Sequence, residues 1–104
     1  SPLDELFKVI LSRKGPNPDT SYTAKLLAKG TQKCAQKVGE EAVEVALAAM
    51  DPGADNVASE SADLLYHLMV LLASCDVDLK DVYRKLEDRA GRSGLDEKAS
   101  RKQS

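Results

Sequence analysis

The sequence predicts an all-α protein built as a bundle of four to five helices. Glycine, proline and aspartate residues divide the chain into segments of helix length, and the apolar residues within each segment recur every three or four positions. No stretch alternates polar and apolar residues with the period of two that a half-buried strand requires. The 104 residues suffice for one domain.

Two short helices are predicted near the start of the chain. The serine and proline at positions 1 and 2 suit the cap and the first turn of a helix, which the break "RKGPNPD" at 13–19 ends. A second helix runs from about Ser21 to Lys29, because Gly30 is typical of the position that follows a helix.

Two longer helices follow. Thr31 is predicted to cap the third helix, and "DPG" at 51–53 is predicted to end it. The fourth begins at Asp55 or a neighbour and extends to about Cys75, and its second half is apolar on nearly all sides. Such a helix must be covered by other parts of the protein on all sides. Four or five modest helices can hardly cover it completely. We therefore expect a homodimer or a higher homo-oligomer.

The predicted fifth helix completes the domain. Asp78, with Asp81 three residues later, indicates its start, and it reaches about Arg89. We expect one all-α domain over residues 1–90. Residues 91–104 carry two glycines, mixed charges and few apolar residues, so we expect a polar, flexible tail.

The third helix places glutamates on a side that should be buried. Its apolar residues form a stripe of Cys34, Val38, Ala42, Val45 and Ala49. Glu41 lies one turn from both Val38 and Val45, inside that stripe, and Glu44 lies beside it. Burying an unpaired carboxylate costs several kcal/mol, so this position requires a compensating charge.

The fourth helix carries matching acids. Glu60 and Asp63 lie three positions apart, as do Glu41 and Glu44, and antiparallel pairing of the two helices brings both pairs together. Four converging carboxylates repel one another unless their pKa values rise or a cation neutralises them. Oxygen ligands favour a hard cation, so the sequence predicts a site for Mg²⁺ first and Mn²⁺ second.

An alternative interpretation leaves these glutamates at the surface. In that case the core face of the third helix consists of Val43, Ala46, Leu47 and Met50. A further alternative is that Lys37 or Arg13 pairs with the acids in place of a metal ion.

Charge and cysteine usage limit the function classes. The 15 Lys and Arg residues nearly balance the 17 Asp and Glu residues, which argues against nucleic-acid or membrane-surface binding. Basic residues gather in the first third and acids in the middle, an arrangement that suits a phosphate ligand beside a cation.

Cys34 and Cys75 are interpreted as small core residues in a reducing compartment. With no signal segment recognised, we expect a cytoplasmic protein.

The acidic motif carries a family resemblance. The pattern EExxE at Glu40 to Glu44, followed by ExxD at Glu60 to Asp63, resembles the MazG-like all-α nucleoside triphosphate pyrophosphohydrolase superfamily. Together with "SYTAKL" and "ADLLYHL" in this order, it resembles the phosphoribosyl-ATP pyrophosphatase family of histidine biosynthesis. The resemblance extends from about Leu6 to Arg89. It implies a helical bundle that assembles at least as a dimer and hydrolyses phosphoribosyl-ATP to phosphoribosyl-AMP and pyrophosphate.

The resemblance also implies roles for individual residues. The metal ligands would be Glu41, Glu44, Glu60 and Asp63. Glu40 is expected to orient or deprotonate the attacking water, or to hold a second metal ion, and Lys37 to assist catalysis. Contacts to the substrate are expected from Arg13, Lys14, Ser21, Tyr22, Thr23 and Lys25. Each of these basic residues also suits a solvated surface, and the segment 21–23 also suits helix capping. Independently of the resemblance, His67 is a poor ligand for hard Mg²⁺, so we interpret it either as a residue that supports a ligand or as a structural residue hydrogen-bonded to a neighbour.

Three other functions compete with this interpretation. A member of the same superfamily that acts on other nucleotides would keep the metal site and change the base pocket. A di-iron carboxylate protein would need ExxH pairs, whereas His67 lies four positions after Asp63. A non-catalytic helical interaction module would need no metal ion, and it leaves Asp63 unexplained.

Overall fold

The computed structural model describes residues 1–15, 21–53 and 55–91 and confirms the all-α fold. Five helices follow one another in these ranges: α1 (Pro2–Ser12), α2 (Tyr22–Lys29), α3 (Thr31–Met50), α4 (Val57–Ser74) and α5 (Leu79–Ala90). The predicted tail beyond position 91 and most of the predicted break after α1 lie outside the described residues. Among the described helices, none combines the length and apolar character needed to cross a membrane.

The predicted helix ends are largely confirmed. The hydroxyl of Ser21 accepts a hydrogen bond of 3.0 Å from the backbone N–H of Ala24, so this serine caps α2. The prediction for α3 was wrong by one residue, because Gly30 is its N-cap. Thr31 is the first helical residue, and its hydroxyl lies 2.6 Å from the hydroxyl of Ser74 instead.

A Schellman turn ends α4. The backbone N–H of Val77 donates to the carbonyl of Leu72 over 2.9 Å, and Asp76 adopts a left-handed φ of 59° that aspartate tolerates. Asp78 then caps α5, as predicted. Cys75 lies at this turn and is exposed, so its prediction as a core residue was wrong.

The core lies around the second half of α4. Val70 is fully buried there, with Met69 and Ala73 beside it, and α1 contributes Phe7 and Ile10. Helices α2 and α5 cover further sides of this cluster. Removing this apolar surface from water is the main force that holds α4 in place.

The face of α3 that packs on α4 follows a heptad spacing. Cys34 and Ala48 are buried, and Val38 and Val45 are half-buried. Glu41 lies on this stripe, as predicted, with 17% of its side chain exposed. The predicted stripe was wrong at two other positions, Ala42 and Ala49, which are exposed. α3 contacts α4 along a line that advances in alternating steps of four and three residues. The two alanines lie beside that line and are therefore exposed.

The alternative core face of α3 is exposed in this chain. The exposed fractions are 57% for Val43, 60% for Leu47 and 80% for Met50. These three residues form an apolar face on the outer side of α3, which we call the outer face. The core therefore does not use it.

Replacement of Ile10 by alanine should reduce the free energy of unfolding by about 2–5 kcal/mol, because this buried side chain leaves a cavity between α1 and α4. Urea unfolding followed by circular dichroism measures the loss. Val9→Ala is the matched control, since Val9 is 50% exposed and its truncation should change stability by no more than about 0.5 kcal/mol. Equal losses in the two variants would contradict the docking of α1 through Ile10.

Candidate metal centre

Three carboxylates meet between α3 and α4. The two helices are antiparallel, since Thr31 meets Ser74 at one end while Glu41 faces the first turns of α4. One carboxylate oxygen each from Glu41, Glu60 and Asp63 lies within 4.8 Å of the others. The sequence-based prediction that the acids of the two helices converge is confirmed for these three residues.

The arrangement fits a hard divalent cation. Two oxygens on opposite sides of an octahedral Mg²⁺ are about 4.2 Å apart, so small side-chain rotations bring these three oxygens around one ion. All three ligand atoms are carboxylate oxygens, which favours Mg²⁺ or Mn²⁺ over zinc. The part of the chain that the structure describes offers no other cluster of this kind among its His, Cys, Asp and Glu residues.

Glu44 belongs to the same region of negative charge. It lies outside the set of three converging oxygens, but its charge acts on Glu60. Partial burial raises the pKa of the Glu60 carboxyl, and the negative charges of Asp63, Glu44 and Glu41 raise it further. The site therefore disfavours its own full ionisation, and a cation would relieve this repulsion.

Lys37 supplies part of the compensating charge. Its Nζ lies 3.6 Å from Oε1 of Glu40 and 3.9 Å from Oε1 of Glu41, one turn further along α3. One ammonium group at these distances does not balance the carboxylates of Glu41, Glu60 and Asp63. The alternative interpretation of a purely ion-paired cluster therefore leaves excess negative charge.

His67 borders the cluster from α4. The residue is buried, and its Nε2 lies 3.9 Å from Oε1 of Glu41. Burial lowers the pKa of His67, the charge of Glu41 opposes this shift, and the positive charge of Lys37 adds to it. Burial thus favours the neutral form of the imidazole.

An aromatic pair lies next to this histidine. The rings of Tyr22 and Tyr66 are 6.5 Å apart and nearly parallel, and each presents to the His67 ring at a steep angle. The hydroxyl of Thr23 forms a hydrogen bond with that of Tyr66. Segment 21–23 is thus linked to the carboxylate cluster through α4. Sequence reasoning did not single out Tyr66, although it lies three positions after Asp63 and so on the same side of the helix.

The other predicted substrate-binding residues lie elsewhere in the chain. Lys14 pairs with Asp76, and its Nζ donates a 2.7 Å hydrogen bond to the carbonyl of Ala73. Ala73 is thirteen residues beyond Glu60, which corresponds to about 20 Å along α4. Arg13 precedes Lys14 at the exposed end of α1, and Lys25 is exposed on α2. The structure does not bring Lys14 to the carboxylate cluster of the same chain, and the substrate-binding roles stay predictions.

The family model described as "Phosphoribosyl-ATP pyrophosphohydrolase" matches residues 3–90, which include α1 to α5 almost entirely. The chain belongs to the phosphoribosyl-ATP pyrophosphohydrolase family. The matched region contains both acidic motifs of the candidate site.

Curated relatives in this pyrophosphohydrolase family are similar over nearly their whole length. A phosphoribosyl-ATP pyrophosphatase of Parvibaculum lavamentivorans is 60% identical over 97% of this chain and 93% of the relative. Proteins of the same name from Paramagnetospirillum magneticum and Paracoccus denitrificans are 58% and 56% identical, over 95% and 96% of this chain and 91% and 93% of their own. The similarity therefore extends through all the described helices of this family member.

Replacement of Asp63 by asparagine should raise the melting temperature in EDTA and remove most of the stabilisation by Mg²⁺. One like charge leaves the cluster, and one ligand oxygen loses its charge. In the unchanged protein, the free energy of unfolding should rise by about 2.7 kcal/mol when Mg²⁺ is present at a hundred times its dissociation constant. Thermal unfolding with and without Mg²⁺ measures both effects.

Glu5→Gln is the matched control, since it removes an exposed carboxylate on α1 and should leave the Mg²⁺ effect unchanged. An Asp63→Asn protein that Mg²⁺ still stabilises as much as the unchanged protein would contradict the assignment of Asp63 to the metal centre.

Proposed function

We propose that this chain hydrolyses the α,β-phosphoanhydride of phosphoribosyl-ATP, giving phosphoribosyl-AMP and pyrophosphate, with the assistance of Mg²⁺ or Mn²⁺. The convergence of Glu41, Glu60 and Asp63 carries the proposal, because this geometry suits a cation that binds phosphate oxygens. The family and the relatives' printed names supply the substrate. The reaction belongs to histidine biosynthesis, and we place the protein in the cytoplasm.

The ligands of the cation would come from both helices of the hairpin. Glu41, Glu60 and Asp63 already converge, and a side-chain rotation would add Glu44, whose charge reaches the same region. When bound, the cation neutralises charge on the phosphate oxygens and makes a nearby water more acidic. The buried core holds α3 and α4 together and thereby sets the position at which the cation and this water would bind.

Two residues on α3 are assigned to the reacting groups. Glu40 is exposed at the rim of the cluster, where it would orient or deprotonate the attacking water. Lys37, which lies between Glu40 and Glu41, would contact a phosphate oxygen and favour departure of pyrophosphate. The water attacks phosphorus, and the bond to the bridging anhydride oxygen breaks.

The aromatic pair is assigned to substrate orientation. Tyr22 is 56% exposed beside the buried His67, so its ring and hydroxyl are accessible to a nucleotide held at the carboxylates. Ser21 already caps α2, and Thr23 already bonds Tyr66, so both also act by fixing this segment. Lys14 is held at Ala73 and Asp76, about 20 Å along α4 from Glu60, so it does not reach the cluster of its own chain without movement, while Arg13 and Lys25 are exposed.

A homodimer would account for the outer face and would give Lys14 a cluster to serve on the second copy. Leu47 and Met50 are 60% and 80% exposed and lie one turn apart on the side of α3 that also bears Val43. A continuous apolar face of this kind typically marks an interface. Glu44 lies next to Val43, so a second copy docked there would bring its surface to the edge of the metal cluster and supply further positive charge to the substrate.

The protein should release pyrophosphate from phosphoribosyl-ATP in preference to ATP and dUTP when Mg²⁺ is present. Glu41→Gln and Asp63→Ala should each lower kcat/KM at least about a hundredfold, because several kcal/mol of charge stabilisation are lost. A coupled pyrophosphate assay measures turnover, and circular dichroism checks that the helices persist.

Two results would contradict this function. Equal turnover of ATP or dUTP would assign the chain to a broader nucleotide pyrophosphohydrolase activity. Native turnover in both ligand variants would refute the metal centre itself. Glu5→Gln again serves as the control and should retain native kcat/KM.

The double variant Leu47→Glu and Met50→Glu should be monomeric, since charged residues on the outer face oppose its burial. Light scattering coupled to size exclusion should then report the 11.2 kDa of a single chain. Leu86→Glu on α5, where the native side chain is 56% exposed, is the matched control and should leave assembly unchanged. A dimer that survives the double variant would contradict this interface.

A further inference from the structure

His67 is a polar residue in a place where packing alone favours an apolar one. It is 6% exposed on α4 and is followed by the buried Met69 and Val70. Its Nδ1 is buried without a hydrogen-bond partner among residues 1–15, 21–53 and 55–91. Buried polar atoms are nearly always paired, so an unpaired one calls for a role other than packing.

The other ring nitrogen faces a residue of the metal centre. Nε2 of His67 and Nζ of Lys37 each lie 3.9 Å from the same oxygen, Oε1 of Glu41. The centres of the Tyr66 and Tyr22 rings lie 5.0 Å and 6.3 Å from that of the imidazole, and both rings meet it edge to face. Two potential donors thus approach one carboxylate oxygen from α3 and from α4.

We infer that His67 is a positioning residue that directs the carboxylate of Glu41 toward the cation through its Nε2–H. A carboxylate only accepts hydrogen bonds, so the nitrogen that faces Glu41 carries the proton. Nδ1 then presents only a lone pair. Nζ of Lys37 and Nε2 of His67 are each 3.9 Å from Oε1, so a small approach would form both hydrogen bonds and leave the second oxygen of Glu41 to the cation. Outer groups of this kind orient ligands in many metal sites. The inference rests on the proposed metal centre.

Three substitutions of His67 separate this role from packing. His67→Gln places an amide N–H near the position of Nε2, whereas the shorter amide of His67→Asn does not reach it, and His67→Met fills the space without a donor. Met69→Leu, a volume-conserving change two positions away in the same buried segment, is the matched control.

The readout is Mn²⁺ binding to the full chain without substrate, followed by electron paramagnetic resonance. His67→Gln and Met69→Leu should bind Mn²⁺ as the unchanged protein does. His67→Asn and His67→Met should weaken binding by about 10–100-fold. His67→Met should also raise the melting temperature in EDTA, because a buried unpaired nitrogen is removed. In turnover, the loss should appear first as a higher Mg²⁺ requirement.

The possible results are distinct. Native Mn²⁺ affinity in His67→Asn and His67→Met would overturn the positioning role and leave the proposed function intact. Equal weakening in all three His67 variants would overturn it as well, since the matching donor of glutamine would then have no effect. Failure of the unchanged protein to bind Mn²⁺ would overturn both the metal centre and this inference. If His67→Met does not fold, the comparison of glutamine with asparagine decides.

Discussion

The carboxylates between α3 and α4 repel one another, and the rest of the structure must overcome this repulsion. One carboxylate oxygen each of Glu41, Glu60 and Asp63 lies within 4.8 Å of the others, although their negative charges repel one another. The helices stay together because Val70, Met69 and Ala73 of α4 are buried at a distance from the acids. Packing at one end of the hairpin thus maintains an electrostatic repulsion at the other, which a bound cation would relieve.

Much of this architecture was predictable because its signals are local. Proline, glycine and capping aspartate or serine residues mark helix ends through backbone geometry, which needs no knowledge of the fold. Periodicity also placed Glu41 on the buried stripe of α3. It failed at Ala42 and Ala49, because the stripe follows the heptad contact with α4 and not a straight line on one helix. Periodicity wrongly placed Cys75 in the core, because α4 ends at Ser74 and the chain turns there.

The site was predictable only where spacing along a helix decides it. The carboxylates of α3 and α4 converge because a short connection makes the helices antiparallel neighbours. The location of Lys14 depends instead on how α1 docks, and its pairing with Asp76 has no sequence signal. The aromatic contact between Tyr22 and Tyr66 also joins distant segments. Such tertiary contacts, and any that a second copy adds, are beyond the reach of periodicity.

The helical stretch between Asp63 and Met69 limits where this chain tolerates changes of length. A helix turns by about 100° and advances about 1.5 Å with each residue. One residue inserted within this stretch would swing the acidic turn of α4 out of phase with the anchored half. The connection between Met50 and Val57 lies outside both helices, so an added residue there would not rotate the anchored half of α4 against its acidic turn. Insertions and deletions should therefore accumulate before α4 and be purged from its middle.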